Sequence, residues 1–409
     1  MLARCGGPPN VARAFGRASP PRMPDAPYAL DTLAIHGGQH HDEITGAVMP
    51  PIVLSTTFAQ DGPGNHKGFD YGRSGNPTRN ALEGCIASLE GGKHGLAYAS
   101  GCAATTNILH LLRPGDHVVC GDDVYGGTFR IFDKVMKPMG VESTPIDMGD
   151  PSRVAAAMKK NTKLVWMETP SNPMMKVFDI AAIADLAKKQ GAQLVVDNTF
   201  ATPMLQRPLS LGATMVVHST TKYLNGHSDA VGGAIVTNDE ELGQKLRVLQ
   251  NAIDAVPRPF DCYLVLRGLK TLPVRMRQHC ASARTIVDKL VSHAQVARVH
   301  YPGLPTHPGH AVAQRQMSAP GGMISFDLKG SLDQARAFLK ALRVFACAES
   351  LGGVESLAEH PAIMTHASIP AEMRKTLGIA DGLIRLSVGL EAESDLWADI
   401  ERGFAAARA

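Results

Sequence analysis

The chain has 409 residues, of which 44% are hydrophobic and 19% charged, and its 41 Lys and Arg against 38 Asp and Glu leave a formal net charge of +3. Single hydrophobic cores stop growing near about 250–300 residues, so this length predicts a large domain and a smaller one. Near-balanced charge, 5% aromatic residues and the lack of a Lys/Arg block argue against a nucleic-acid partner, and no apolar run approaches the roughly 18 residues of a membrane span.

The seven cysteines are odd in number and scattered without a Cys-x-x-Cys pair. That pattern argues against a disulfide framework or a zinc ribbon and for a reducing, cytoplasmic setting. Residues 1–28 carry Arg4, Arg13, Arg17 and Arg22, with no acidic residue before Asp25. They read as a disordered extension, with an organellar transit peptide as the competing reading; their prolines and glycines make a poor amphipathic helix, and Met23 is a candidate start. From 29 to 73 the chain is rich in Gly, Pro, Thr and His and too poor in periodic apolar residues to build a core. It reads as an irregular arm that lies on another surface.

Residues 74–265 read as a catalytic domain in which helical patterns alternate with short apolar runs. The runs are 95–99, 117–120, 164–168, 194–197, 215–218 and 234–236. Their doubly apolar character indicates an α/β architecture, a mostly parallel sheet sandwiched by helices. Ligands of such sheets sit outside the carboxyl ends of the strands, where Glu168, Asp197 and His218 fall. Residues 266–409 read as a smaller C-terminal α+β domain with strands at 322–327 and 383–388. His36, His40, His41, His307 and His310 lack helical ligand spacing and read as loop residues, with no metal site.

Lys222 stands in Ser219-Thr220-Thr221-Lys222-Tyr223, about 25 positions after the strand end at Asp197. An aldehyde cofactor needs a lysine amine for its Schiff base, and a pyridine nitrogen needs a carboxylate to stay protonated. Lys222 and Asp197 together point to pyridoxal 5'-phosphate; taken alone, the pair also reads as a surface lysine and a capping aspartate. Ser100-Gly101-Cys102 lies between a strand end and a helix start and is a candidate phosphate cradle, with the Ser219 and Thr221 hydroxyls adding donors from a second side. A helix cap and turn residues are the structural alternative. Tyr125, after the strand ending at Cys120, is a candidate stacking partner and proton handler, or else packs on the surface. Arg385 interrupts an apolar strand, and a buried guanidinium needs an anion: a substrate carboxylate or an internal ion-pair partner.

These residues sit in longer motifs. Tyr71-Gly72-Arg73-Ser74-Gly75-Asn76-Pro77-Thr78-Arg79, Tyr125-Gly126-Gly127-Thr128, Glu168-Thr169-Pro170-Ser171-Asn172-Pro173, Asp197-Asn198-Thr199-Phe200 and the Lys222 segment resemble the cysteine/methionine-metabolism family of fold-type-I pyridoxal-phosphate enzymes. The likeness runs from about Thr32 to the C-terminus. It implies that Lys222 forms the Schiff base and shuttles protons, that Asp197 pairs with the pyridine nitrogen, that Thr199 is among the cofactor-binding residues, and that Tyr125 stacks on the ring. It implies a phosphate held by the Gly101 and Cys102 amides with Ser100, Ser219 and Thr221. Tyr71 and Arg73 would complete that site from the arm of a neighbouring subunit, Tyr71 also meeting substrate. The active unit is then a homo-oligomer, in this family a tetramer built as a dimer of dimers.

The same resemblance implies a small sulfur amino acid as substrate, its α-carboxylate bound by Arg385 with Asn172 and Ser350, and a distal carboxylate within reach of Arg130. Glu349, in Ala348-Glu349-Ser350-Leu351-Gly352-Gly353, resembles relatives that handle cystathionine through Cγ. The expected reaction is cleavage of cystathionine to cysteine, 2-oxobutanoate and ammonia, with cysteine desulfhydration to hydrogen sulfide as a side activity. The alternatives are γ-replacement of an O-acylhomoserine by cysteine, or a related β-lyase or methionine γ-lyase reaction. Two positions depart from the family pattern: Cys102 replaces the usual Met or Leu, and Gly72 replaces a serine.

Overall fold

The computed structural model describes residues 28–367 and 371–408. The extension expected at 1–28 lies, but for Tyr28, outside the described residues. Seven strands form the larger sheet: β1 (His94–Tyr98), β2 (His117–Gly121), β3 (Glu142–Ile146), β4 (Thr162–Glu168), β5 (Gln193–Asp197), β6 (Met215–Ser219) and β7 (Gly233–Thr237). Their order is β1-β7-β6-β5-β4-β2-β3. The run from β6 to β3 is parallel, and β7 is antiparallel to both β6 and β1.

Alternation along the strands divides the core into layers. Val118, Trp166, Val195 and Val217 pack with Ile108, Phe132 and Leu246 on one face. Val119, Val165, Met167 and Val196 pack with Ile180, Ile183 and Ala187 on the other. The expected sandwich of helices around a mostly parallel sheet is therefore present. β3 was invisible in the sequence because Glu142-Ser143-Thr144-Pro145-Ile146 is an edge strand with largely exposed side chains, so it carries no apolar run.

The arm between 29 and 73 differs from expectation at its start. Helix α1 (Leu30–His36) places Leu30, Leu33 and Ala34 on one face, and these pack with Cys85 and Leu89 of helix α2 (Pro77–Glu90). Three apolar residues at helical spacing suffice once a neighbour covers them. His36 is thus helical, and the loop expectation for it is corrected. His310 likewise opens the helix His310–Gln316. Asn76 starts α2 by accepting from the Thr78 and Arg79 amides at 2.9 and 3.1 Å, with Pro77 in the first turn. Gly91 ends it at φ 71°, a conformation that favours glycine.

The second sheet has the order β10-β11-β12-β9-β8, from β8 (Val296–His300), β9 (Met323–Leu328), β10 (Ala346–Cys347), β11 (Leu357–Glu359) and β12 (Leu383–Ser387). Phe326, Ile384 and Leu386 bury one face against Ile286, Phe338 and Phe404. Among the described residues no helix is long and apolar enough to cross a membrane.

Asp399 connects this domain to the cavity described below. It is 1% exposed and accepts from the amides of Arg343, Val344 and Phe345 at 2.8 to 3.1 Å. Those amides lead into β10 and then Glu349-Ser350. Asp399→Ala leaves the buried Phe345 amide and the part-buried Arg343 and Val344 amides without their acceptor, so urea denaturation is expected to show a loss of about 2–3 kcal/mol.

Candidate active site

The carboxyl ends of β4, β5 and β6 meet at one cavity of about 340 Å³. Glu168 and Asp197 are register partners on neighbouring strands, so their side chains share a face and both reach the cavity. Asp197 Oδ1 accepts from the Thr199 amide at 3.0 Å and the Thr199 hydroxyl at 2.6 Å. Thr199 Oγ1 in turn accepts from the Ser219 amide at 2.9 Å. Burial pushes the Asp197 carboxyl above its ordinary value, while the Thr199 contacts and His218 pull it down. Glu168 is pushed well above the carboxylate range by burial and then by Asp197.

After β6 the chain turns tightly, with the Lys222 amide donating to the Ser219 carbonyl at 3.3 Å and the Asn225 amide to Thr220 at 2.9 Å. That turn returns Lys222 to the strand ends, where its Nζ lies 2.6 Å from Ser350 Oγ. Its amine is lowered to about 8, first by burial and next by the Arg385 guanidinium.

Helix α3 (Gly101–Leu109) begins at the same cavity. Ser100 Oγ caps it by accepting from the Ala103 amide at 3.0 Å, so the structural reading of Ser100 holds alongside its place in the wall. The first amides of a helix have no intrahelical acceptor, and Gly101 and Cys102 both line the cavity. A Cβ on Gly101 would stand 2.9 Å from Ser219 Cβ, so only glycine lets the helix start approach β6 this closely. Ser219 and Thr221 complete that end, although the Thr221 hydroxyl also accepts from the Gly232 amide at 3.0 Å. Burial raises the Cys102 thiol above its ordinary value, which keeps it protonated rather than reactive at neutral pH.

Tyr125 opens helix α4 (Gly126–Arg130). Its amide donates to Glu168 Oε2 at 2.7 Å, and its ring lies over Gly127, where a Cβ would meet Tyr125 Cε1 at 2.3 Å. Arg385 is 2% exposed. Its Nη1 meets Asn172 Oδ1 and Glu359 Oε1, each at 2.8 Å, and its Nη2 donates to the Ser350 carbonyl at 2.6 Å. Ser350 presents that carbonyl from φ 85°, a strained setting for a residue with a Cβ. Nε of Arg385 is buried without a partner.

The cavity therefore gathers Ser100, Gly101, Cys102, Tyr125, Asn172, Asp197, Thr199, Ser219, Thr221, Lys222, Glu349, Ser350 and Arg385. Three predicted residues stand outside its wall. Arg130 is exposed on α4. Tyr71 and Arg73 are exposed on the arm, the guanidinium 5.5 Å from the Tyr71 ring centre. Buried Arg79 holds the arm there by donating to the Gly72 and Arg73 carbonyls, both at 2.9 Å. Sequence reasoning missed Glu359, the register partner of Arg385 across β11 and β12, and Thr365, which lines the cavity beyond it. A mid-strand arginine signals that an acid is present but not which one, and three-residue β11 leaves no periodic trace.

A family model described as Cys/Met metabolism PLP-dependent enzyme matches residues 31–405. A cystathionine gamma-lyase of Dictyostelium discoideum is 55% identical over 376 residues, 92% of this chain and 97% of that protein. A cystathionine beta-lyase of Coxiella burnetii is 54% identical over 374 residues, 91% of this chain and 97% of that protein. The solved cystathionine gamma synthase of Xanthomonas oryzae pv. oryzae, in complex with aminoacrylate and cysteine, superposes with a TM-score of 0.91 at 48% identity, covering 94% of this chain and 99% of that one.

The Lys222 environment has a direct readout. In cofactor-free protein, acylation of Lys222 followed by peptide mass spectrometry is expected to be half-maximal near pH 8, against roughly 10.4 for a free lysine. Arg385→Met removes a neighbouring cation and is expected to move that midpoint upward. A wild-type midpoint near the free value would refute the burial argument.

Proposed function

Because the chain belongs to the Cys/Met-metabolism family of pyridoxal-phosphate-dependent enzymes, we propose that it cleaves the Cγ–S bond of cystathionine to release cysteine, 2-oxobutanoate and ammonia. The donor set suits the cofactor: a close-approach glycine and helix start for a phosphate, a half-buried carboxylate for a pyridine nitrogen, and an amine between them. When bound, pyridoxal phosphate supplies an aldehyde for amine exchange and a ring that draws off the electron pair left at Cα.

The chain's own residues would then divide the work. The Gly101 and Cys102 amides with Ser100, Ser219 and Thr221 would hold the phosphate. Asp197, oriented by Thr199, would pair with the ring nitrogen, and Tyr125 would cover one face. Lys222 would take the Cα proton, pass it on and then take a Cβ proton, freeing the electron pair that expels the γ-sulfur, a role that suits an amine lowered to about 8. Arg385, with Asn172 and Ser350, would hold the α-carboxylate through its unpartnered Nε. Glu349 carries the choice of substrate: it is an exposed carboxylate in the cavity wall, adjacent to Ser350, where it suits the distal ammonium of cystathionine. Arg130, near that mouth, would meet the distal carboxylate.

Tyr71 and Arg73 would serve the phosphate of a neighbouring subunit. The reading is supported by their exposure and by the apolar side chains that the arm exposes, Ile44, Val48 and Leu54 at 61%, 76% and 67%. The assembly would be a tetramer of two such dimers, in the reducing cytoplasm.

Incubation with cystathionine alone is expected to yield 2-oxobutanoate, and Lys222→Ala to lose at least about a thousandfold in rate. Pyruvate with homocysteine would instead mark Cβ cleavage. Turnover only with an acylhomoserine and cysteine would mark the synthase reaction. Mixing dissociated Arg73→Ala and Lys222→Ala chains is expected to restore about a quarter of wild-type activity, since half the random dimers hold one intact shared site. No recovery would place the arm in its own subunit's site.

A further inference from the structure

On its buried side Arg385 closes a ring of side chains that has more contacts than protons. Thr365 Oγ1 lies 2.9 Å from Glu359 Oε1 and 2.9 Å from Nδ1 of His366. Nε2 of His366 lies 3.1 Å from the Asn172 carbonyl oxygen. Asn172 Oδ1 and Glu359 Oε1 return to Arg385 Nη1 at 2.8 Å each. Each such contact between heteroatoms needs one proton. The Asn172 carbonyl has none, so His366 Nε2–H supplies that one. The single Thr365 hydroxyl proton serves either Glu359 or His366, not both. An ionised Glu359 beside a neutral His366 therefore leaves two lone pairs facing each other across 2.9 Å.

We propose that Glu359, Thr365 and His366 share one further proton, and that this proton is what leaves the charge of Arg385 free for a substrate carboxylate. If the proton is on Glu359, the acid donates to Thr365 and Thr365 to His366 Nδ1. If it is on His366, the imidazolium donates to Thr365 and Thr365 to the carboxylate. In either arrangement Glu359 and His366 together carry no net charge. Without the proton, Glu359 cancels Arg385, and an arriving carboxylate meets a neutral pair beside the negative Glu349.

The surroundings favour retention of the proton on the carboxyl. Glu359 is 1% exposed and its Oε2 is buried without a partner. Burial raises Glu359 above its ordinary value, with Arg385 and Lys222 opposing and Glu349 reinforcing. His366, 1% exposed, is lowered to about 4 by burial and then by Arg385. Cys347 faces Glu359 from β10, while Glu168 and Tyr223 act on Arg385 from β4 and from the turn after β6. The sign follows: carboxylate affinity is full while the ring is loaded and falls as pH rises through its titration.

The proposal rests on reading Arg385 as the carboxylate site, and the test separates the two. The probe is 4-(methylsulfanyl)butanoate, a carboxylate without an amine to exchange with Lys222, titrated calorimetrically into holoenzyme between about pH 6.5 and 9.5. Wild type is expected to weaken with pH, approaching about tenfold per unit, and to take up as much as one proton, counted from two buffers of different ionisation heat. Glu359→Gln, uncharged throughout, is expected to bind tightly with a flat profile. His366→Phe gives the Thr365 hydroxyl to Glu359 alone, keeps that carboxylate ionised, and is expected to bind about tenfold more weakly near pH 7.5. Glu359→Gln added to His366→Phe restores binding, which a merely structural histidine would not allow. Proton capture at Lys222 alters the cofactor's visible absorbance and is subtracted. A flat wild-type profile, or a wild-type slope in Glu359→Gln, overturns the shared proton. Undiminished binding by Arg385→Met would instead remove the carboxylate site itself.

Discussion

A guanidinium at 2% exposure in the middle of β12 imposes most of the local order around the cavity. A buried cation must be surrounded by acceptors, and Arg385 draws them from three parts of the chain: Glu359 across the strand pair, Asn172 from beyond β4, and the Ser350 carbonyl. The Ser350 backbone adopts φ 85° to deliver that carbonyl. The same residue then sets its hydroxyl 2.6 Å from Lys222 Nζ, so the geometry that satisfies the arginine also positions the amine. Arg385 further lowers the amine's proton affinity through space. One buried charge thereby couples the small sheet to the chemistry of the large one.

The large sheet imposes a second order. Parallel strands end together, and their carboxyl ends bring Glu168, Asp197 and Ser219 to one edge although long stretches of chain separate them. The network there is continuous: the Ser219 amide donates to Thr199, and Thr199 to Asp197. Glu168 extends it sideways by accepting the Tyr125 amide. Two neighbouring carboxyls do not both ionise readily, and burial followed by repulsion from half-buried Asp197 raises Glu168 well above its usual range. Asp197, with two donors on one oxygen, is the better placed of the two to carry charge.

Legibility in the sequence followed chain distance. Lys222, Asp197 and the Ser100-Gly101 turn were readable because each motif is contiguous and joins a strand end to a turn or helix start. The six apolar strands of the large sheet were readable for the same reason, whereas the edge strand Glu142–Ile146 was not. The role of Ser100 as a helix cap, and that of Arg385 as both an ion-pair partner and a member of the cavity wall, show that structural and functional readings of one residue need not compete. Glu359, Thr365 and His366 were missed because their meaning lies in contacts to Arg385 and Asn172, 26 and about 190 positions away along the chain.

The sequence by itself determined the architecture, the family and the reactive groups that lie in contiguous motifs, since hydrophobic period and such motifs are local properties of the chain. Only the tertiary structure decided which acid faces Arg385, that Ser350 rather than a carboxylate touches Lys222, and that Tyr71 and Arg73 stand apart from the cavity of their own chain. Those outcomes depend on burial and on partners brought together by sheet packing, and neither is written into any short stretch of residues.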